Sequence, residues 1–139
     1  MFRVFTLLTT TALSAAVAMA TPDFSDEEPG HPIPHLGVVD VHAVRKGGGS
    51  DLNVVIATPL QGDEHSRQRL TRKIENYLRA INSNGYSAQF GQPTPKNTAI
   101  VVHIHPRSDP KIFKLLEKLR SRVGAAKVAF EIKPLEVNQ

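Results

Sequence analysis

Apolar and polar positions alternate along the chain in blocks, and the blocks predict the elements. In Gly37–Arg45 (GVVDVHAVR), Val39, Val41 and Ala43 point one way, while Val38, Asp40, His42 and Val44 point the other. Lys46-Gly47-Gly48-Gly49-Ser50 is a loose turn, and DLNVVIAT then sets Leu52, Val54 and Ile56 opposite Asn53, Val55 and Ala57, so the two runs predict a β-hairpin. Over residues 63–83 the period changes. Leu70, Ile74, Tyr77, Leu78 and Ile81 fall on one helical stripe. Asp63 caps the start and Asn84-Gly85 ends the helix. Glu75 precedes Arg79 by one turn, the favourable order for an ion pair, and the side predicted to be exposed carries Arg67, Arg69, Arg72, Lys73 and Arg79.

Residues 86–97 are turn-rich, with a short strand expected at Tyr86–Phe90. A firm strand follows at Thr98–His105, with Ile100, Val102 and Ile104 inward and Val101, His103 and His105 on the other face. Asp109-Pro110 opens a second helix with the stripe Ile112, Leu116, Leu119 and Val123, and Gly124 is expected to stop it. Val128, Phe130 and Ile132 form the buried side of a last strand, opposed by Lys127, Ala129, Glu131 and Lys133.

Each strand has one continuous apolar side, whereas strands covered on both faces would be apolar throughout. The expectation is therefore an α/β two-layer sandwich, ββαβαβ, with one mixed sheet and two helices on one face. Right-handed crossovers of that kind give strand order 1-2-3-4 with the first strand antiparallel. The uncovered face keeps Val38, Val44, Val55 and Val101. A mixed face of that sort suits a homodimer contact or a protein partner.

The ends of the chain change the setting. Residues 1–20 carry Arg3, then an apolar stretch, then Ala18-Met19-Ala20, the layout of a secretory signal peptide cleaved after Ala20. Val4–Ala20 holds five threonines and serines and is short for a membrane anchor, which wants about 20 mostly apolar residues. Periplasmic or secreted location is the expectation, with no transmembrane segment after cleavage. Residues 21–36 hold Pro22, Pro29, Pro32 and Pro34 with Asp23, Asp26, Glu27 and Glu28, and predict an extended, acidic tether. Of 17 Lys and Arg in the 139 residues, all but Arg3 lie in 37–139, against nine of the 13 acids. The domain over 37–139 is thus strongly basic, which admits an anionic partner surface. With 40% hydrophobic and 22% charged residues the chain is neither collagen-like nor wholly disordered. The absence of cysteine excludes disulfides, thiolate metal sites and cysteine nucleophiles.

The hairpin ending Leu52-Asn53-Val54-Val55-Ile56, the helix Lys73-Ile74-Glu75-Asn76-Tyr77-Leu78-Arg79-Ala80-Ile81 and the strand Ile100-Val101-Val102-His103-Ile104 resemble a family of small uncharacterised bacterial proteins. The likeness spans about residues 38–132 and implies strand, helix, strand in that order, but no activity. Ile100–Ile132 is also similar to the periplasmic domain of biopolymer-transport proteins of energy-transducing membrane complexes, a likeness of shape rather than role.

Two constellations could carry chemistry. His103 and His105 are two apart on a strand, and the predicted order sets His42 and Glu131 on the same face. Imidazoles with a carboxylate suit zinc, copper or nickel, and His31 and His35 on the tether could swing over them. The second is the crevice beyond the parallel strands, where Arg107 and Ser108 could hold a phosphate or carboxylate near two helix N-termini. Asp63 and Asp109 would instead cap those termini and repel an anion. No G-x-S-x-G, P-loop, H-E-x-x-H or Rossmann glycine run is present, and stacking aromatics for nucleic acid are scarce. The leading expectation is a binding module acting through protein contact on the open sheet face. Metal binding by the sheet histidines and an anion-binding or enzymatic crevice near Arg107 are the alternatives.

Overall fold

The structure, a computed structural model, describes residues 26–136. The predicted signal peptide, its cleavage site and the first residues of the acidic segment lie outside the described residues. The elements are β1 (Val41–Val44), β2 (Ser50–Ile56), α1 (Glu64–Ile81), α2 (Asn84–Phe90), β3 (Thr98–Ile104), α3 (Pro110–Ala125) and β4 (Ala129–Pro134). They build one open four-stranded sheet in the order β1-β2-β3-β4. β1 is antiparallel to β2, and the other two joins are parallel. This is an α+β fold with the helices layered on one side of the sheet, as the one-sided strands require. Among the described residues no helix is long and apolar enough to cross a membrane.

The core lies between the layers. Leu52, Val54, Ile56, Ile100, Val102 and Ile104 meet both helical stripes, and Leu70, Ile74, Ile81, Ile112, Leu116 and Val123 are fully buried. Asp63 caps α1 by accepting from the Ser66 amide, and Asp109 caps α3 by accepting from the Lys111 amide. Gly124 does not stop α3. The helix runs one residue further, and Lys127 takes the left-handed turn at φ 63° instead. Its amide bonds the Gly124 carbonyl and that of Val128 the Val123 carbonyl, which satisfies the last turn.

Three expectations are corrected. Tyr86–Phe90 is helical, because Ser83 caps α2 and the Tyr86 and Phe90 rings meet one turn apart, tilted, with centroids 4.8 Å apart. Glu75 pairs with Arg122 across to α3, while Arg79 turns to Asn76, so the expected Glu75–Arg79 pair is not made. Arg69 and Lys73 are not on an exposed face: they are 0% and 1% exposed.

The fate of those two cations explains a fourth difference. Residues 26–36 are no extended tether but a folded strap docked on α1. The strap closes on itself through Glu28 N–H to Pro34 O at 2.8 Å and Leu36 N–H to Asp26 O at 2.9 Å. Ile33 and Leu36 enter the core. Arg69 donates to the carbonyls of Ile33 (2.9 Å) and Asp26 (3.3 Å) and lies 3.5 Å from the Glu28 carboxylate. Lys73 donates to the carbonyls of His35 and Val38 and pairs with Asp40 at 2.8 Å. The strap makes one antiparallel bridge of its own, Glu27 to His35, and Arg69 and Lys73 of the helix satisfy further carbonyls.

Candidate functional site

The uncovered sheet face is built from alternate residues of each strand. Asn53 and Val55 on β2, Val101 and His103 on β3, and Glu131 and Lys133 on β4 share it, by the register Asn53–Val101–Glu131 and Val55–His103–Lys133. On β1, Val41 lies beside Asn53 and Ala43 beside Asp51, so these two face outward. His42 lies beside Leu52 and faces the helix layer. The expected parity of β1 is therefore reversed, and Val44 leaves the open face with His42. A strand of four residues, VHAV, has no pattern strong enough to choose a face, and a one-residue slip moves every side chain across. The hairpin turn decides instead: Gly49 packs against Asn97 and donates to the Phe90 carbonyl at 2.7 Å.

This parity dissolves the expected metal quartet. The His42 ring packs edge-on against Phe90 at 4.9 Å, on the far side of the sheet from His103 and Glu131. Asn53 donates through Nδ2 to the Val41 carbonyl and accepts at Oδ1 from His103 Nε2 at 2.7 Å, so that imidazole nitrogen carries a proton. His105 lies past the end of β3, and its Nδ1 accepts from the Arg107 amide at 3.1 Å. Glu131 lies 3.6 Å from Lys133. Among the described residues no three His, Asp or Glu side chains are grouped to hold a metal ion.

The crevice beyond the parallel strands is present, with Ser108 and Asp109 engaged by the chain's own amides. A cavity of about 430 Å³ is lined by the 59–63 loop with Arg107, Asp109 and Lys111. Ser108 is buried, and its Oγ accepts from the Leu60 amide at 3.0 Å, so it joins the two loops rather than facing a ligand. The Asp109 carboxylate sits over Gly62, where a Cβ would come within 2.8 Å of it. Arg107 remains exposed at the rim, facing a cavity with two acids in its wall.

Next to this crevice the strap forms a cluster that sequence spacing did not suggest. A second cavity, about 480 Å³, is lined by Glu28–Pro32, Pro59, Gln61, Asp63 and Ser66. His31 Nε2 meets Ser66 Oγ at 3.0 Å, and His65 Nε2 meets Glu28 at 2.7 Å. The two rings stand edge to face, 5.7 Å apart. The Ile33 amide donates to His31 Nδ1 at 2.9 Å, which fixes the proton on Nε2. His31 thus donates to Ser66 and is in the wrong tautomer to take its proton. Burial pushes the His31 pKa down, and the bond from His65 holds the Glu28 carboxyl below the usual carboxylate range. His35 is bonded to Glu27 at 2.6 Å, so neither strap histidine swings over the sheet. The contact is a structural clasp of the strap to α1, and its partners lie about 35 residues apart in sequence.

Exposed large hydrophobics gather elsewhere: Val38 (55%), Val41 (52%), Val44 (63%) and Val55 (36%) all lie on β1, just before it, or at the outer end of β2. All four residues of β1 are exposed. The opposite edge is guarded. Arg120 donates to the Phe130 carbonyl at 3.0 Å, and β4 ends in Lys133-Pro134. Native proteins blunt free edges with such charges and prolines; β1 carries neither within its four residues and is protected only by its shortness and by Arg45-Lys46 just beyond it. Comparison with family models, with characterised proteins and with solved structures returns no match.

Proposed function

We propose that the chain is a secreted or periplasmic binding module that acts through protein contact at its uncovered sheet, and that its first partner is a second copy of itself. The observation that carries this reading is the asymmetry of the two sheet edges. β4 is capped by Arg120, Lys133 and Pro134, whereas β1 offers free backbone groups ringed by exposed valines. A two-fold axis normal to the sheet would pair β1 antiparallel with β1 of the second copy. Such an axis keeps both uncovered faces on one side and brings the same apolar edge together. The signal-like pattern of residues 1–20 supports delivery out of the cytoplasm.

The test is sedimentation velocity of the protein across a concentration series, with Val41→Lys and Val44→Lys as edge variants. Both side chains are exposed, so the substitutions should leave the monomer folded. A dimer that dissociates in both variants is the expected result. A wild-type protein that stays monomeric at high concentration, or variants that dimerise as well as wild type, would overturn the reading.

A further inference from the structure

On the opposite side of the molecule α1 and α3 run side by side in the same direction. Near their C-terminal ends they are joined by Glu75 and Arg122. Between their N-terminal halves a pocket of about 210 Å³ opens, lined by Arg67, Lys111, Lys114, Leu115 and Lys118. Four cations line it and no carboxylate does. Lys111, Lys114 and Lys118 come from one helix at spacings of three and four, so they share a face.

Elsewhere some surface cations are matched, Arg45 with Asp51, Arg120 with Glu117 and Lys133 with Glu131, while others such as Lys46, Lys96 and Arg107 have no ion pair among the described residues; this pocket differs in gathering four cations in one concave lining. Among the described residues none of the three pocket lysines has an ion pair, and Arg67 reaches only the exposed Glu64, at 3.8 Å. Two acids line the adjoining stretch of the same groove: Glu75 is occupied by Arg122, and Glu64 is the acid 3.8 Å from Arg67. Like charges gathered in a concave site repel one another, and an anion relieves that repulsion while gaining charge-assisted bonds.

We infer that this pocket is a seat for a phosphate or sulfate ester, the oxyanion held by Arg67, Lys111, Lys114 and Lys118 and the organic part resting on Leu115. Arg67 is partly fixed at the pocket wall, because its Nε donates to the Gly62 carbonyl at 3.1 Å and one outer nitrogen lies 3.8 Å from Glu64. The three lysines supply rotatable donors that adapt to the ester. Multiple cations favour an anion that offers several acceptor oxygens over a carboxylate, and half-buried Leu115 favours an ester over the bare ion. The site lies on the helix layer and is independent of contact at the β1 edge.

The experiment titrates the protein at low salt with phenyl phosphate, and separately with vesicles of phosphatidylcholine with and without phosphatidylglycerol. Amide shifts along α3 report the first arm and co-sedimentation the second. Lys114→Glu with Lys118→Glu tests the pocket. Lys46→Glu with Lys96→Glu, also exposed, makes the same change in net charge far from it. The expected result is binding that weakens by about tenfold or more in the pocket variant and little in the control. Phenyl phosphate binding identifies a soluble ester as the source, and vesicle binding alone identifies a lipid headgroup; either supports the seat. Equal loss in both double variants, or no binding of either probe, would overturn it.

Discussion

Replacing Arg69 with methionine removes the charge that clasps the strap while keeping most of the volume. In the native state the guanidinium is fully buried, bonded to the Ile33 and Asp26 carbonyls and close to Glu28. Two bonds to a charged donor are worth about 1.5–3 kcal/mol each in gross terms, offset by the desolvation that methionine no longer suffers. Removing one member of a fully buried pair costs about 3–5 kcal/mol; Glu28 is a third exposed and keeps His65, which places the cost at or below the lower end. The expected loss is about 3 kcal/mol. Urea unfolding measures the total. Hydrogen exchange localises it, because the Leu36 and Glu28 amides close the strap and Val102 in β3 reports global opening. The Leu36 amide should lose protection by about a hundredfold, since each 1.4 kcal/mol is tenfold. A variant within about 0.5 kcal/mol of wild type, with the strap amides as protected as before, would refute the view that Arg69 anchors the strap.

Acid should loosen the same clasp. Burial depresses the His31 pKa, so as pH falls below the ordinary histidine value of about 6.5 the unfolded chain takes up this proton before the folded one. Stability from this group is therefore complete above that pH and declines below it; His31→Gln should flatten that part of the slope, and identical slopes would count against the assignment. The Glu28 contribution has a lower window, full above the ordinary carboxylate range and lost as pH falls through its depressed value. Gly49→Ala should cost about 3 kcal/mol or more by thermal unfolding, because φ is +82° and the new Cβ would lie 2.1 Å from the Asn97 carbonyl oxygen. Gly124→Ala is its contrast: the site is helical with nothing within 4 Å, and a gain of about 0.5–1 kcal/mol is expected.

What was legible in the sequence is what periodicity carries. The stripes Leu70-Ile74-Tyr77-Leu78-Ile81 and Ile112-Leu116-Leu119-Val123 are buried as expected; one-sided strands gave the layer count, and right-handed crossovers the strand order. The site was less legible, because its residues depend on contacts distant in sequence. The face of His42 rests on how Gly49 meets Asn97, which no pattern within VHAV contains. Arg69 and Lys73 fall one position from the apolar stripe and look like solvated cations until the strap supplies carbonyls for them. Proline in 22–34 announces a break in regular structure, but not that the segment folds back through a Glu27–His35 bridge or that Ile33 and Leu36 will be drawn into a core.

Strand order matching chain order has a kinetic consequence. β1 and β2 are joined by a short turn and can pair early, but β2 must leave its other edge bare until β3 is made, since Ser50 sits beside Thr98. Long-range parallel pairing of this kind forms late. During synthesis the stretch Leu52–Ile56, apolar but for Asn53 and without charge or proline, is thus exposed as an unpaired edge for the whole time that α1 and α2 are being formed. The interval between β2 and β3 is where a holding chaperone would matter to this fold. Charge on the β2 side chains that face away from the core would be the simplest way to shorten its vulnerability.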